Sequence, residues 1–153
     1  NAFLQGMLAR LGDELASGDT FSLAIGDARV AFADIRDIAA ACAHAMCTES
    51  VPAVIEVTGP EAVGGTGLAM RLARLLARPI AYKPMEIATA MARARASKMP
   101  EFTLRHQEEV LARLRDGAGS RVSSAFHDVV GRPGRSVDGY LAEVAAKVGG
   151  TAG

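Results

Sequence analysis

This sequence has no long apolar run. No stretch reaches the roughly 18 residues that a membrane-spanning helix requires, so a helical span is excluded. An excess of one charge is also missing. Seventeen Lys and Arg balance seventeen Asp and Glu, which argues against a nucleic-acid footprint, since that would show a basic surplus. Cysteine is scarce. Cys42 and Cys47 lie five apart on an expected helix and point in different directions, so they read as reduced packing residues rather than a disulfide or metal pair. His44, His106 and His127 have no ligand spacing, and no metal site is expected. The opening Asn1-Ala-Phe-Leu-Gln-Gly-Met lacks the basic start and long apolar core of a signal peptide. A cytoplasmic location is the default expectation.

Half of the 153 residues are hydrophobic, many of them alanine. That suffices for one ordinary domain. Phe3, Leu4, Met7, Leu8 and Leu11 recur at helical spacing and predict an amphipathic helix, closed by Gly12 and Ser17-Gly-Asp19. Thr20–Ile25 favours a strand, Gly26-Asp27 a turn, and Arg29–Phe32 a second extended piece. Asp34 or Asp37 opens a helix, because either carboxylate can accept free amides at a helix start. Ile35, Ile38, Ala39, Cys42 and Met46 are its expected apolar face.

Ala53-Val-Ile-Glu-Val57 predicts a compact strand and Thr58-Gly-Pro-Glu61 a turn. Leu68, Leu72, Leu75 and Leu76 mark a helix closed by Arg78-Pro79, and Pro79–Pro84 a short strand. Two helices follow, over Met85–Ala96 and Pro100–Arg115, the second heavily charged. Ser123–Val130 predicts a short helix. Gly131–Arg135 is a turn, and Ser136 is expected to cap a last helix that carries Val137, Tyr140, Leu141, Val144 and Val148 on one face. Residues 149–153 are expected to fray. Helices alternating with three or four short strands indicate an α/β class, and strands this short are too few for a complete sheet.

Some motifs invite chemistry. Gly64-Gly-Thr-Gly67 suggests a phosphate-cradling turn. It stands several residues past its strand, has Met70 where a third small residue belongs, and lacks the later acidic residue. An ordinary helix start with Gly64 near the cap is the better reading. Ser123, Ser124 and His127 lack any nucleophile-elbow pattern, and a surface cap is preferred. Tyr82-Lys83 and Tyr140…Lys147 miss the one-turn Tyr-x-x-x-Lys spacing by which a lysine lowers a phenol pKa, so no catalytic residue is identified. Arg132 and Arg135 could grip an anion, but turn arginines are usually solvated.

Four segments carry a family resemblance. Asn1-Ala-Phe-Leu-Gln-Gly-Met-Leu looks like "Asn-x-Phe-Met-x-Asn-Leu-Leu". Gly26-Asp-Ala-Arg-Val-Ala-Phe-Ala-Asp-Ile-Arg-Asp-Ile-Ala-Ala is similar to "Gly-Asp-x-Arg-Val-Ala-Phe-Ile-Asp-Val-Arg-Asp-Ile-Ala". Glu56-Val-Thr-Gly-Pro-Glu-Ala resembles "Leu-Thr-Gly-Pro-Glu-Ala", and Val130-Gly-Arg-Pro-Gly-Arg-Ser resembles "Gly-Arg-Pro-Pro-Arg-Thr". In this order they resemble the second half of NmrA-like, atypical short-chain dehydrogenase/reductases of the quinone-reductase-like subgroup. Gly6, the Gly64–Gly67 run and Gly134 depart from the family pattern.

The resemblance implies the C-terminal, substrate-side part of a Rossmann-like NAD(P)-binding fold. It would be helix-rich with a few short strands, with the N-terminal βαβ nucleotide-binding half absent. Residues 1–153 would then be a partial domain, consistent with a chain opening at Asn1 rather than methionine. The implied function is the substrate-binding portion of an NAD(P)H-dependent oxidoreductase that transfers hydride to a small electrophile such as a quinone. NADP or NAD would be held mainly by the missing half, and this chain alone would be inactive. By family analogy Asn1, Ala2 and Phe3 lie beside the nicotinamide, and Phe3 and Met7 beside the substrate. Core packing is the competing role for Phe3 and Met7. Asp34, Arg36 and Asp37 are expected to be structural, with the arginine tying its helix to the sheet. Expected partners are the small-molecule substrate and the missing half, with a homodimer as a further candidate. The alternatives are a non-enzymatic NAD(P) redox sensor of the NmrA type, or a truncated remnant.

Overall fold

A computed structural model describes residues 2–150. Its α/β architecture is rich in helix, with one small parallel sheet. Helices α1 (Leu4–Met7) and α2 (Leu11–Ser17) lead into strand β1 (Thr20–Leu23), and helix α3 (Ile35–Cys47) and helix α4 (Gly65–Leu76) precede strand β2 (Ala81–Pro84). Helices α5 (Ile87–Ala96), α6 (Glu101–Arg115), α7 (Ala125–Val130) and α8 (Val137–Gly150) complete it. β1 and β2 run parallel, with Thr20 opposite Ala81 and Leu23 opposite Pro84. A parallel pair needs a crossover, and α3 and α4 lie within it.

The main core packs Leu4, Leu8, Leu11 and Leu15 against Phe21 and Ile25. Leu68 and Leu72 of α4 and Val137, Leu141 and Val144 of α8 close over them. A smaller cluster joins Ala33, Ala41, Val57 and Phe126.

The single helix expected over Phe3–Leu11 is two short ones with a turn between. Gly6 and Gly12 weaken helix over this stretch, and Gly12 lies inside α2 rather than ending it. The break preserves the row Leu4, Leu8, Leu11, Leu15, which is fully buried. Only two strands form a ladder among the described residues. The strand expected over residues 53–57 does not form: they have no regular structure and make no backbone hydrogen bond to another described residue. α3 starts at Asp34 as expected, but its buried face is Asp37 and Ala41. Ile35, Ala39, Cys42 and Met46 face outward. The two cysteines are free and exposed, not packing residues. Helix α8 runs on through Gly150, past the expected fraying point, and residues 151–153 lie outside the described ones. No described helix is long and apolar enough to cross a membrane.

Two buried carboxylates fix α3. Asp34 caps it, accepting from the Arg36 amide at 2.8 Å. The Arg36 guanidinium grips both Asp34 oxygens and reaches Glu143 of α8, so it ties α3 to α8 rather than to the sheet. Asp37 accepts from the Arg132 guanidinium at 2.9 Å and the Arg135 amide at 2.5 Å, and also pairs with the Arg135 guanidinium. The turn arginines therefore do hold an anion, and it is one the chain supplies itself. Arg36 beside Asp34 holds that carboxyl down to about 2, against the opposing effect of burial.

A folded-state pKa below the unfolded value means the unfolded chain binds more protons as pH falls. Asp34 therefore stabilises fully above about pH 4, and that contribution, roughly 1–2 kcal/mol, is lost as pH falls toward 2. Denaturant titrations from pH 6 to 2 should show this acid limb, and Asp34→Asn, which keeps a capping oxygen, should flatten it. Asp37→Ala should cost about 3 kcal/mol by urea unfolding at pH 7, the low end for breaking a buried ion pair because both arginines can reach solvent.

Candidate substrate-side site

Three backbone segments meet at Ala33. The Ala33 amide donates to the Ala2 carbonyl at 3.0 Å, and the Leu4 amide donates to the Ala33 carbonyl at 2.9 Å. This clamp seats Phe3 beside Ala33 in a parallel bridge. Two residues earlier in the same segment, the Ala31 carbonyl accepts from the Gly59 amide at 3.4 Å. A Cβ at Gly59 would lie 2.3 Å from the Phe32 carbonyl oxygen. The glycine of Val57-Thr-Gly-Pro60 is therefore required by close approach to Val30-Ala-Phe-Ala33, and the two most specific sequence segments pack on one another.

Of the residues expected at the ligand, Ala2 is buried and Phe3 is 45% exposed. Met7 is half-buried, against the main core and along a shallow cleft with Arg10, Glu14 and Phe21. Asn1 lies outside the described residues. Ala2 and Phe3 are adjacent on the clamp, with Met7 one helical turn further. Phe3 offers an accessible ring on a backbone that the clamp holds; Met7 combines a packing role with partial exposure.

A separate cavity of about 370 Å³ lies between the start of α4 and the Gly26–Arg29 turn, with Tyr82 as one wall. Sequence reasoning noticed its glycines but not the cavity, because Tyr82 comes from a distant strand. Gly64 is the N-cap of α4, as expected. A Cβ on Gly65 would fall 2.3 Å from the Tyr82 ring. The space above this glycine is thus filled by an aromatic face rather than left open for a pyrophosphate. The Tyr82 hydroxyl is 2.8 Å from the Gly26 carbonyl and 3.1 Å from that of Leu23, which holds the ring in place.

The cations lining the cavity are already engaged. Arg29 donates through Nε and Nη2 to the Ala62 carbonyl. Arg71 makes a two-pronged pair with Glu61 at 2.6 Å and reaches Asp138 of α8 at 3.0 Å. This network escaped the sequence reading because Arg71 and Asp138 are distant in the chain. The Arg71 contact draws the Glu61 carboxyl below its usual range, and Glu61 raises Arg71 further. The residues at Gly65 thus do not form an open phosphate cradle: Tyr82 fills the space above the glycine, and both arginines of the cavity wall are engaged.

Burial pushes both tyrosines up. Asp27 adds to the effect at Tyr82, and Glu143 and Asp34 at Tyr140. A phenol tuned as a proton donor would move the other way. Ser123 acts at the start of α7, its hydroxyl accepting from the Ala125 amide at 3.2 Å, while the Ser124 hydroxyl donates to Asp128. Among the described residues, no group of three or more His, Cys, Asp or Glu could hold a metal.

No protein-family model matches the chain. It is 31% identical over 119 residues to the (4-alkanoyl-5-oxo-2,5-dihydrofuran-3-yl)methyl phosphate reductase of Streptomyces griseus, covering 77% of this chain and 42% of that protein. It is 28% identical over 134 residues to the NAD(P)H azoreductase of Xenophilus azovorans, covering 84% of this chain and 46% of that one. Among solved structures it resembles an NADPH-dependent quinone oxidoreductase from Escherichia coli, with TM-score 0.76 and 22% identity, over 95% of this chain and 52% of that one. The structural likeness establishes the shared fold. The chain spans about half the length of the relatives it matches.

Gly65→Ala should destabilise the chain by about 1–3 kcal/mol, the usual cost of forced overpacking, because the anchored Tyr82 ring cannot swing aside. Thermal unfolding checks this, and Gly65→Ala combined with Tyr82→Ala should be less than additive.

Proposed function

We propose that this chain is the C-terminal, substrate-side part of an NAD(P)H-dependent oxidoreductase of the NmrA-like, atypical short-chain dehydrogenase/reductase type, acting on a small electrophile such as a quinone. The observation that carries the reading is end-to-end likeness on one side only. Relatives named as reductases cover most of this chain, while it covers about half of each. Residues 1–153 are on this reading a partial domain, working in the cytoplasm. The nucleotide is held mainly by the remainder of the protein.

When bound, the nicotinamide supplies a hydride, which with one proton converts a quinone to its hydroquinone. The chain's own share is placement and exclusion of water. The Ala2–Ala33–Leu4 clamp fixes Phe3, whose exposed ring offers an apolar wall to the nicotinamide and a flat substrate. Met7, one turn on, extends that wall with an adaptable thioether. Asn1 and Ala2 are assigned to the cofactor by the family resemblance alone. None of these residues transfers a proton.

The complete protein should oxidise NADPH steadily in the presence of quinones. Binding without turnover across a broad quinone panel would sink the reductase reading and leave a nucleotide sensor. NADPH titrated into the 153-residue chain alone should give no saturable signal. In the complete protein, Phe3→Ala should lower kcat/KM for the quinone roughly 10-fold, the scale of one lost apolar contact. The melting temperature should stay nearly unchanged, since the ring is half in solvent.

A further inference from the structure

Most arginines of this chain commit their guanidinium to a hydrogen bond, Arg36, Arg71, Arg115 and Arg132 among them. Arg10 and Arg93 do not. Both lean on the Glu14 carboxylate, Arg10 from the turn before α2 and Arg93 from the last turn of α5, yet each stops 3.9 Å from the same oxygen, Oε1. That is beyond hydrogen-bond length, and neither guanidinium donates to any other described group. The second Glu14 oxygen accepts from the Ser22 amide at 2.9 Å. One carboxylate, its side chain only 18% exposed, thus gathers two guanidinium groups without occupying their donors. The cluster carries an excess positive charge, and Asp13, the neighbouring carboxylate, pairs with neither arginine among the described residues.

The position of the pair gives it a use. Arg10 and Glu14 line the shallow cleft along Met7 and Phe21, and Arg93 reaches it through Glu14. The Met7 amide donates to the Phe3 carbonyl at 2.9 Å, so Phe3, Met7 and Arg10 follow one another at steps of about one turn. Both arginine side chains are open to solvent. The cleft, about 90 Å³, admits a small group rather than a whole flat molecule. A guanidinium with free donors in a planar fork matches the oxygens of a carboxylate, sulfonate or phosphate.

We propose that Arg10 and Arg93 clamp an acidic group on the substrate, so that the electrophile reduced by the complete protein is a flat molecule bearing a carboxylate, sulfonate or phosphate. The proposal rests on the functional reading above, which puts Phe3 and Met7 beside the substrate. The flat part lies against Phe3 and Met7, and the acidic group lies one turn further on, at the arginines. Glu14 is a positioning residue. It brings the two guanidinium groups to one point and yields them to an incoming anion, because its own contacts with them are long.

The test uses the complete protein with NADPH and two substrates, naphthoquinone and naphthoquinone sulfonate. Arg10→Gln and Arg93→Gln should each lower the ratio of kcat/KM for the sulfonate to that for the plain quinone about 10-fold, through KM, the scale of one lost charged hydrogen bond. Dividing each variant's ratio by that of the wild type cancels the difference in electronics between the two quinones. Arg10→Lys should recover part of the loss, since it keeps the charge but not the fork. An equal loss with both quinones marks a structural role and overturns the clamp. A rise in KM for NADPH alone makes the cofactor's phosphates the bound anion and also overturns it. Naphthalene sulfonate, which is no hydride acceptor, is titrated in parallel into the wild type and the double variant. No turnover of either quinone, with this binding lost in the double variant, supports the clamp and removes the reductase reading. Turnover of both quinones in a ratio that the variants leave unchanged overturns the clamp and leaves the reductase reading standing. Absence of both turnover and binding overturns both.

Discussion

The buried Asp37 carboxylate is the joint on which the molecule closes. It sits in the first turn of α3 and accepts from Arg132 and Arg135, some hundred residues along the chain. Without partners, so deeply buried a charge would be prohibitively costly. The closing turn must therefore return to α3, and α8, which follows it, is delivered onto α2 and α4. Arg36 with Glu143 and Arg71 with Asp138 then secure α8 at two further points. The apolar core supplies the bulk of the stabilisation, but these charged contacts specify which helix lies where.

Much of this was readable from the residues. Asp34 or Asp37 before an apolar run announced a helix start, Arg78-Pro79 a helix end, and Gly64 a cap, because caps and breakers act over a few residues. Apolar spacing marked α4 and α8, and ranges set by flanking breaks marked α5, α6 and α7 to within a few residues. What was not readable depended on distant neighbours. The 3.6-residue period gave α3 an apolar face, but two ion-paired carboxylates and the Phe126 cluster turned it the other way. Val54–Val57 has strand composition, yet a strand exists only where a partner lies beside it. The Tyr82 cavity needed β1 and β2 in register before it could be seen.

The candidate site divides in the same manner. Phe3 was named through family likeness, and the structure adds that its backbone is held by the clamp around Ala33 while its ring is half exposed. The glycine run at α4 looked like nucleotide chemistry, and Tyr82 occupies the space that such chemistry would need. The cations nearest that cavity are spent on Glu61, Asp138 and a carbonyl. The walls of this cavity are thus closed by the chain's own contacts rather than left open to phosphates.

The sheet has a kinetic consequence. β1 pairs residue 20 with residue 81, so it forms only after a long crossover closes, and the entropy of that closure must be met before the ladder gives anything back. The helical pair α5–α6 joins residues near in sequence and can form earlier. Tyr82 meets Phe21, with ring centres 5.5 Å apart, only once the crossover has closed. With no tryptophan in the chain and Tyr140 the only other tyrosine, the intrinsic fluorescence of this protein carries a built-in clock for the late, long-range step of its folding.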